Sequence, residues 1–217
     1  MDHAGDGMDL FFTPDTCALA SLIVCYDAGL DITLTPISFA KGAQKDEAYL
    51  AVNPKARVPA LRFGPDILTE TPAILAYLAQ IAPEAALAPS DPMEFAQAQS
   101  FNAYLCSTVH VAHAHRMRGS RWVDGEAHLE ALRRKVPQSV AHAFTYIEEH
   151  ALRGPFVLGE RYSICDPYLF TLANWMEGDG VDPAQFPRIT AHRNQMAQRA
   201  TVRRALAVEA EVRAALA

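Results

Sequence analysis

Cysteine is scarce in this chain. Its four copies, Cys17, Cys25, Cys106 and Cys165, are scattered through 217 residues with no Cys-x-x-Cys pair. That spacing favours reduced thiols in a cytoplasmic setting over a disulfide framework. Long apolar runs are also missing, so no segment reads as a bilayer span. Net positive charge is absent: the formal charge is -6 and no extended basic run occurs, which argues against a nucleic-acid footprint. The N-terminus, Met1-Asp2-His3-Ala4-Gly5-Asp6-Gly7, has neither the basic nor the apolar region of a signal peptide. Residues 1–7 read as a short disordered extension, with Met8 an alternative start. Half the residues are apolar and a fifth charged, an ordinary globular composition.

Elements then follow from periodicity. Met8–Thr13 is a short apolar strand ended by Pro14. Ala18–Gly29 carries Leu19, Leu22, Ile23 and Tyr26 at helical spacing and stops at a glycine. Ile32–Phe39 alternates as a second strand, and Lys41–Val52 is polar with a weak helical tendency. Pro59–Phe63 and Ile67–Thr69 read as strands around Gly64-Pro65-Asp66, before a helix over about Thr71–Ile81. From Met93 onward only amphipathic helices appear, over about 93–118, 126–152, 165–178, 187–198 and 201–214. The pattern predicts an α/β domain at 8–85, a proline- and alanine-rich linker at 86–92, and an all-helical domain at 93–217.

The richest stretch is Asn53–Ala79, NPKARVPALRFGPDILTETPAILAYLA. Val58-Pro59 enters a strand, one of the few settings that tolerates a cis peptide. Proline contributes no donor there, which leaves the Val58 backbone N–H and C=O for another extended chain. Glu70-Thr71-Pro72 is a helix start, whose amides and dipole suit a carboxylate. An extended-backbone site beside a carboxylate site describes a peptide-binding site. Further on, Ser163-Ile164-Cys165-Asp166 is a capping-box variant ahead of the apolar Pro167-Tyr168-Leu169-Phe170.

These motifs, NPKARVPAL, TETPAILAYL and FVLGERYSICDPYLF, closely resemble the cytosolic glutathione transferases, and the likeness spans about residues 8–210. It implies a thioredoxin-like domain followed by a helical bundle, usually as a homodimer. The implied activity is conjugation of the glutathione thiolate to small electrophiles, the detoxification chemistry of the family. Glutathione is then a co-substrate, and no metal, nucleic acid or membrane takes part. Two other readings stay open: a glutathione-dependent thiol–disulfide reductase using Cys17, and a non-catalytic interaction protein on the same fold. The acceptor and pathway are not encoded in any motif.

Cys17 lies where the first strand gives way to the first helix, a position that favours thiolate. The segment Thr13-Pro14-Asp15-Thr16-Cys17-Ala18 is similar to the first turn of the bacterial beta-class enzymes, whose cysteine contacts the glutathione sulfur. It departs from them in having Asp15 for the usual glycine and Ala18 for serine, and Asp15 brings a carboxylate near the thiol. The hydroxyls of Thr13 and Thr16 are alternative sulfur partners. The resemblance also implies that Val58, flanked by Arg57 and Pro59, pairs with the cysteinyl backbone of the tripeptide. Glu70 and Thr71 would hold its γ-glutamyl amine and carboxylate, and Lys41 its glycyl carboxylate. In the helical domain, aligning Tyr104 with the family puts His110 at the histidine facing the active cleft. Aligning Asn102, a further candidate glutathione contact, puts Val109 there. His110 and His113 share a helix face, but no third metal ligand is near in sequence. His113, Arg116, Met117 and Trp122 are candidates for the acceptor pocket, against the plainer reading of a helix end with favourable cations.

Overall fold

The computed structural model describes residues 7–216; the expected extension at 1–7 falls almost wholly outside them. The chain divides into two compact units. One reaches to Pro89 and is rejoined by the residues from Ala197 onward, and the other is Ser90–Met196.

The first unit runs β1 (Met8–Phe12), α1 (Ala18–Asp27), β2 (Ile32–Pro36), α2 (Glu47–Leu50), β3 (Ala60–Phe63), β4 (Asp66–Thr69) and α3 (Thr71–Ile81). Its sheet has the order β2-β1-β3-β4, with β1 parallel to β2 and antiparallel to β3, and β4 antiparallel to β3. β1 is central, so Leu10 and Phe12, both fully buried, read as a near-continuous apolar run. Pro36 closes β2, whose outer edge needs no donor. That makes the strand shorter than the expected 32–39. α1 is followed by Gly29 at φ 66, and the Leu30 N–H donates to the Cys25 carbonyl at 3.0 Å, a Schellman stop. The polar stretch 41–52 forms only a single 3-10 turn and the four-residue α2.

The C-terminal helix departs from the domain boundaries expected above. α9 (Ala200–Leu216), which its composition groups with the other helices, belongs to the first unit. It packs against α1, which explains why Ala18–Cys25 is buried on every face. The seam is polar at the far end of α1: the Asp27 carboxylate, its side chain little exposed, accepts from Thr201 Oγ1 at 2.7 Å and pairs with Arg199. Beside it the Arg204 guanidinium lies 4.0 Å from the Tyr26 ring centroid.

The second unit holds α4 (Pro92–Tyr104), α5 (His110–Arg118), α6 (Glu126–Tyr146), α7 (Cys165–Ala173) and α8 (Pro187–Ala197). Asp91 caps α4, accepting from the Met93 and Glu94 N–H groups, each at 2.9 Å. α4 and α5 form one helical run interrupted by a π turn, Leu105–Val109. A π turn carries one residue more than an α turn, so the side chains after it rotate onto a different face. Val109 is buried and His110 only partly so. α7 is shorter than the expected 165–178 because Asn174 and Trp175 turn out of the helix into hydrogen-bonded turns ending at Gly180, φ 77.

The capping box ahead of α7 is the most heavily bonded point in this unit. Fully buried Asp166 accepts the Ser163 N–H at 2.7 Å, the Ser163 hydroxyl at 3.2 Å and the Val157 N–H at 2.8 Å. His192 from α8 adds Nε2 at 3.0 Å, so one carboxylate ties a loop, a helix start and a second helix together.

Candidate active site

In the first unit the turn between β1 and α1 is held by its own threonines. The Thr13 hydroxyl donates to the Ile37 carbonyl and the Thr16 hydroxyl to the Thr13 carbonyl, both at 2.7 Å. Thr16 Oγ1 also accepts the Ala18 N–H at 3.3 Å, an ordinary helix-start bond. Each hydroxyl has one proton, and both protons are engaged by backbone oxygens. Asp15 occupies φ 61, a left-handed conformation natural to glycine and one that aspartate tolerates better than most residues.

Cys17 follows, 7% exposed, with Sγ 3.6 Å from the Val58 carbonyl oxygen. The thiol therefore sits on the backbone segment that the sequence marks for an extended ligand, and the Val58 carbonyl already has a partner. The Val58-Pro59 peptide is cis. The loop before it is built by side chains: Tyr49 Oη and Asn53 Nδ2 both donate to the Arg57 carbonyl, at 2.6 and 2.7 Å. Burial pushes the Tyr49 phenol up to about 12, with the Asn53 hydrogen bond opposing. The Arg57 side chain is exposed and Pro59 is buried.

Glu70 stands at the head of α3 with φ 76, sparsely populated for a side-chain-bearing residue and a common mark of functional positions. Thr71 is buried directly after it. The Glu70 carboxylate is ion-paired with Lys55, whose ammonium also donates to Thr69 Oγ1 at 2.7 Å. Lys55 is a residue that the motif reading passed over. Lys41 lies exposed in the turn before α2, where its backbone N–H reaches the Ser38 hydroxyl at 3.4 Å.

Asp15 does not bring a lone charge to the thiol. Its carboxylate is gripped by Arg213 of α9 through two bonds, 2.9 and 2.7 Å, and its N–H donates to Glu209 at 2.8 Å. Glu209 is buried, and burial raises its carboxyl above the ordinary range; the Asp15 N–H opposes that, the Asp15 charge adds to it, and Arg213 opposes it. A carboxyl so raised favours the folded state while protonated, and that stability is lost as pH climbs through the folded value. Glu209→Gln keeps an acceptor without the buried charge. It should melt about 2 °C above wild type near pH 7, the gap closing as pH falls toward the ordinary carboxylate range. Calorimetric melts across that range check this.

In the second unit one of the histidines, His113, meets a buried carboxylate. Asp179, almost fully buried, faces His113 Nδ1 at 2.7 Å and Arg116 Nε at 3.4 Å. The Trp175 ring stacks on His113 with centroids 4.2 Å apart and meets the edge of His110 at 5.3 Å. His113 and Arg116 thus serve as polar partners of Asp179, a role that sequence spacing did not show. Met117 is 73% exposed, and Trp122 meets the edge of His115 at 4.5 Å. Asn102 is completely buried, and both of its side-chain polar atoms lack a partner. No cluster of three or more metal-ligating side chains occurs among the described residues.

Comparison with known proteins decides the family. The sequence model described as glutathione S-transferase, N-terminal domain, matches residues 8–80. Glutathione S-transferase GstA of Escherichia coli O157:H7 is 31% identical over 205 residues, 93% of this chain and 98% of that protein. The chain belongs to the glutathione S-transferase family. A glutathione transferase homolog from Sulfitobacter, solved with bound glutathione, is similar at 47% identity and a TM-score of 0.90. That match covers 94% of this chain and 98% of the other. Maleylacetoacetate isomerase of Pseudomonas aeruginosa is 30% identical over 166 residues, 74% of this chain and 77% of that protein. The transferase fold is thereby established, with the thioredoxin-like sheet first and the helical unit following.

Proposed function

We propose that this glutathione transferase activates the glutathione thiol beside Cys17 and delivers it to a small electrophile. The observation that carries the reading is the Cys17 thiol at 3.6 Å from the Val58 carbonyl. A cysteinyl residue paired with Val58 brings its own sulfur to Cys17. Thr13 and Thr16 serve less well as sulfur partners, since their hydroxyl protons are spent on carbonyls. Glu70 takes the γ-glutamyl ammonium, and Thr71 with the α3 amides takes the neighbouring carboxylate. Val58 supplies backbone pairing and Lys41 or Arg57 the glycyl end. Holding the acceptor close makes attack effectively intramolecular. The enzyme acts as a cytoplasmic homodimer.

The same geometry favours a second chemistry. Cys17 can form a mixed disulfide with glutathione when a substrate disulfide is the oxidant, and a second glutathione thiolate then releases it as oxidised glutathione. Cys17→Ala separates the two. Conjugation retained with disulfide reduction abolished assigns Cys17 to exchange; conjugation lost assigns it to activation; loss of neither contradicts both roles. The isomerase relative makes glutathione-assisted isomerisation a third assay for the same variant.

Lys55 affects binding in a predictable way. Its ammonium stands where the γ-glutamyl ammonium is expected, so the two compete for Glu70. Lys55→Met should tighten glutathione about two- to threefold at low ionic strength, with the gain vanishing in high salt. Titrations at two salt concentrations check it.

A further inference from the structure

We propose that the C-terminal helix α9 is a clamp on the Cys17 turn, with Glu209 and Arg213 acting as positioning residues for the thiol. The idea rests on Cys17 being the working thiol, but its geometry is independent of any ligand. Besides the Arg204–Tyr26 contact, α9 and the residue before it hold the rest of the unit at two polar anchors. One, at Asp27, is the far-end contact made by Arg199 and Thr201. The other reaches the turn itself: buried Glu209 accepts the Asp15 N–H, and Arg213 grips the Asp15 carboxylate with two bonds. Asp15 is two residues before Cys17 and in a left-handed conformation that a loose loop would not keep.

The consequences follow along the chain. The left-handed kink at Asp15 sets the direction in which Thr16 and Cys17 enter α1. Thr16 locks the kink locally through the Thr13 carbonyl and the Ala18 N–H. Those local bonds fix the turn against itself, whereas Glu209 and Arg213 fix it against the body of the unit. A glycine, which takes this left-handed conformation freely, would have no carboxylate for Arg213 to hold. Aspartate here turns a conformational requirement into an anchor. The buried, elevated carboxyl of Glu209 is consistent with an acceptor kept in an unfavourable place for the sake of one N–H. Glu209 and Arg213, though not Asp15, lie outside the residues matched by the family's N-terminal model.

The test is alkylation of the native protein with iodoacetamide, followed at the Cys17 peptide by mass spectrometry. Glu209→Ala should raise the Cys17 rate about fivefold, the size expected when one hydrogen bond restraining a local opening is lost. Arg213→Ala, which changes a half-exposed side chain, should raise it about two- to threefold and serves if Glu209→Ala does not fold. Glu209→Gln, which keeps the acceptor, should remain at the wild-type rate. Thr201→Val weakens the distant anchor on the same helix, so it should lower the melting temperature without changing the Cys17 rate. Unchanged rates in both alanine variants would overturn the clamp. So would a Thr201→Val rate as high as that of Glu209→Ala, since α9 would then act only through general stability. Protection of Cys17 by glutathione in the same assay reports separately on the ligand site: protection with no effect of either alanine substitution discards the clamp alone.

Discussion

Asp166→Ala should lower the melting temperature by about 10 °C, or leave the protein unfolded at physiological temperature. The carboxylate satisfies two buried N–H groups, a buried hydroxyl and the ring of His192. Truncation strands all four donors in a site from which water is excluded, and breaking a buried charged network of this kind costs about 3–5 kcal/mol. For a chain of this length each kcal/mol is worth roughly 2–4 °C. A simple surface cap would cost only about 1 kcal/mol. Asp166→Asn refines the test. Its amide presents donors to donors, so it should recover less than half of the loss despite its equal volume. A melting shift under about 3 °C for Asp166→Ala would mean that the network is not under the tension its burial implies.

Glu70→Gln should weaken glutathione about tenfold to a hundredfold and leave the melting temperature almost unchanged. The substitution keeps the side-chain length and the left-handed backbone, so only the charge facing the γ-glutamyl ammonium is removed. Hydrogen bonds to charged groups are worth about 1.5–3 kcal/mol. The Lys55 ion pair lost with it is half-exposed and contributes little to folding. The opposite direction expected for Lys55→Met makes the two variants a pair. Glutathione bound more weakly by Glu70→Gln and more tightly by Lys55→Met fits competition for one carboxylate. Weakening in both variants would instead make Lys55 a direct ligand contact.

Much of the molecule was legible because its signals are local. β1, α1, β3, β4 and α3 each announce themselves within a dozen residues, through apolar period, a terminal glycine or an X-Pro step. Ser163 and Asp166 are three apart, so their mutual bond could be read from the chain. What stayed hidden is carried by partners distant in sequence or by departures from regular helix. Asp15 meets Glu209 and Arg213 across 194 and 198 positions, and nothing in either segment alone signals the other. For the same reason α9 was grouped by its type rather than by its packing. The alternatives at Val109 and His110 differ by one residue of register, and the π turn at Leu105–Val109, which adds one residue to a helical turn, lies in that stretch. Asp179, isolated between two glycines, had no pattern to mark it as the buried partner of His113 and Arg116. Lys55 was visible only as a loop charge, since its pairing with Glu70 depends on β3 and β4 folding back between them.

The most direct test of the account is calorimetric titration of the folded protein with glutathione, paired with turnover of a general aryl halide. The account predicts saturable binding between micromolar and millimolar glutathione, weaker by about tenfold to a hundredfold in Glu70→Gln, and conjugate formation in the wild type. A well-folded protein that takes up no glutathione at millimolar concentration would contradict it, leaving a transferase fold with another purpose.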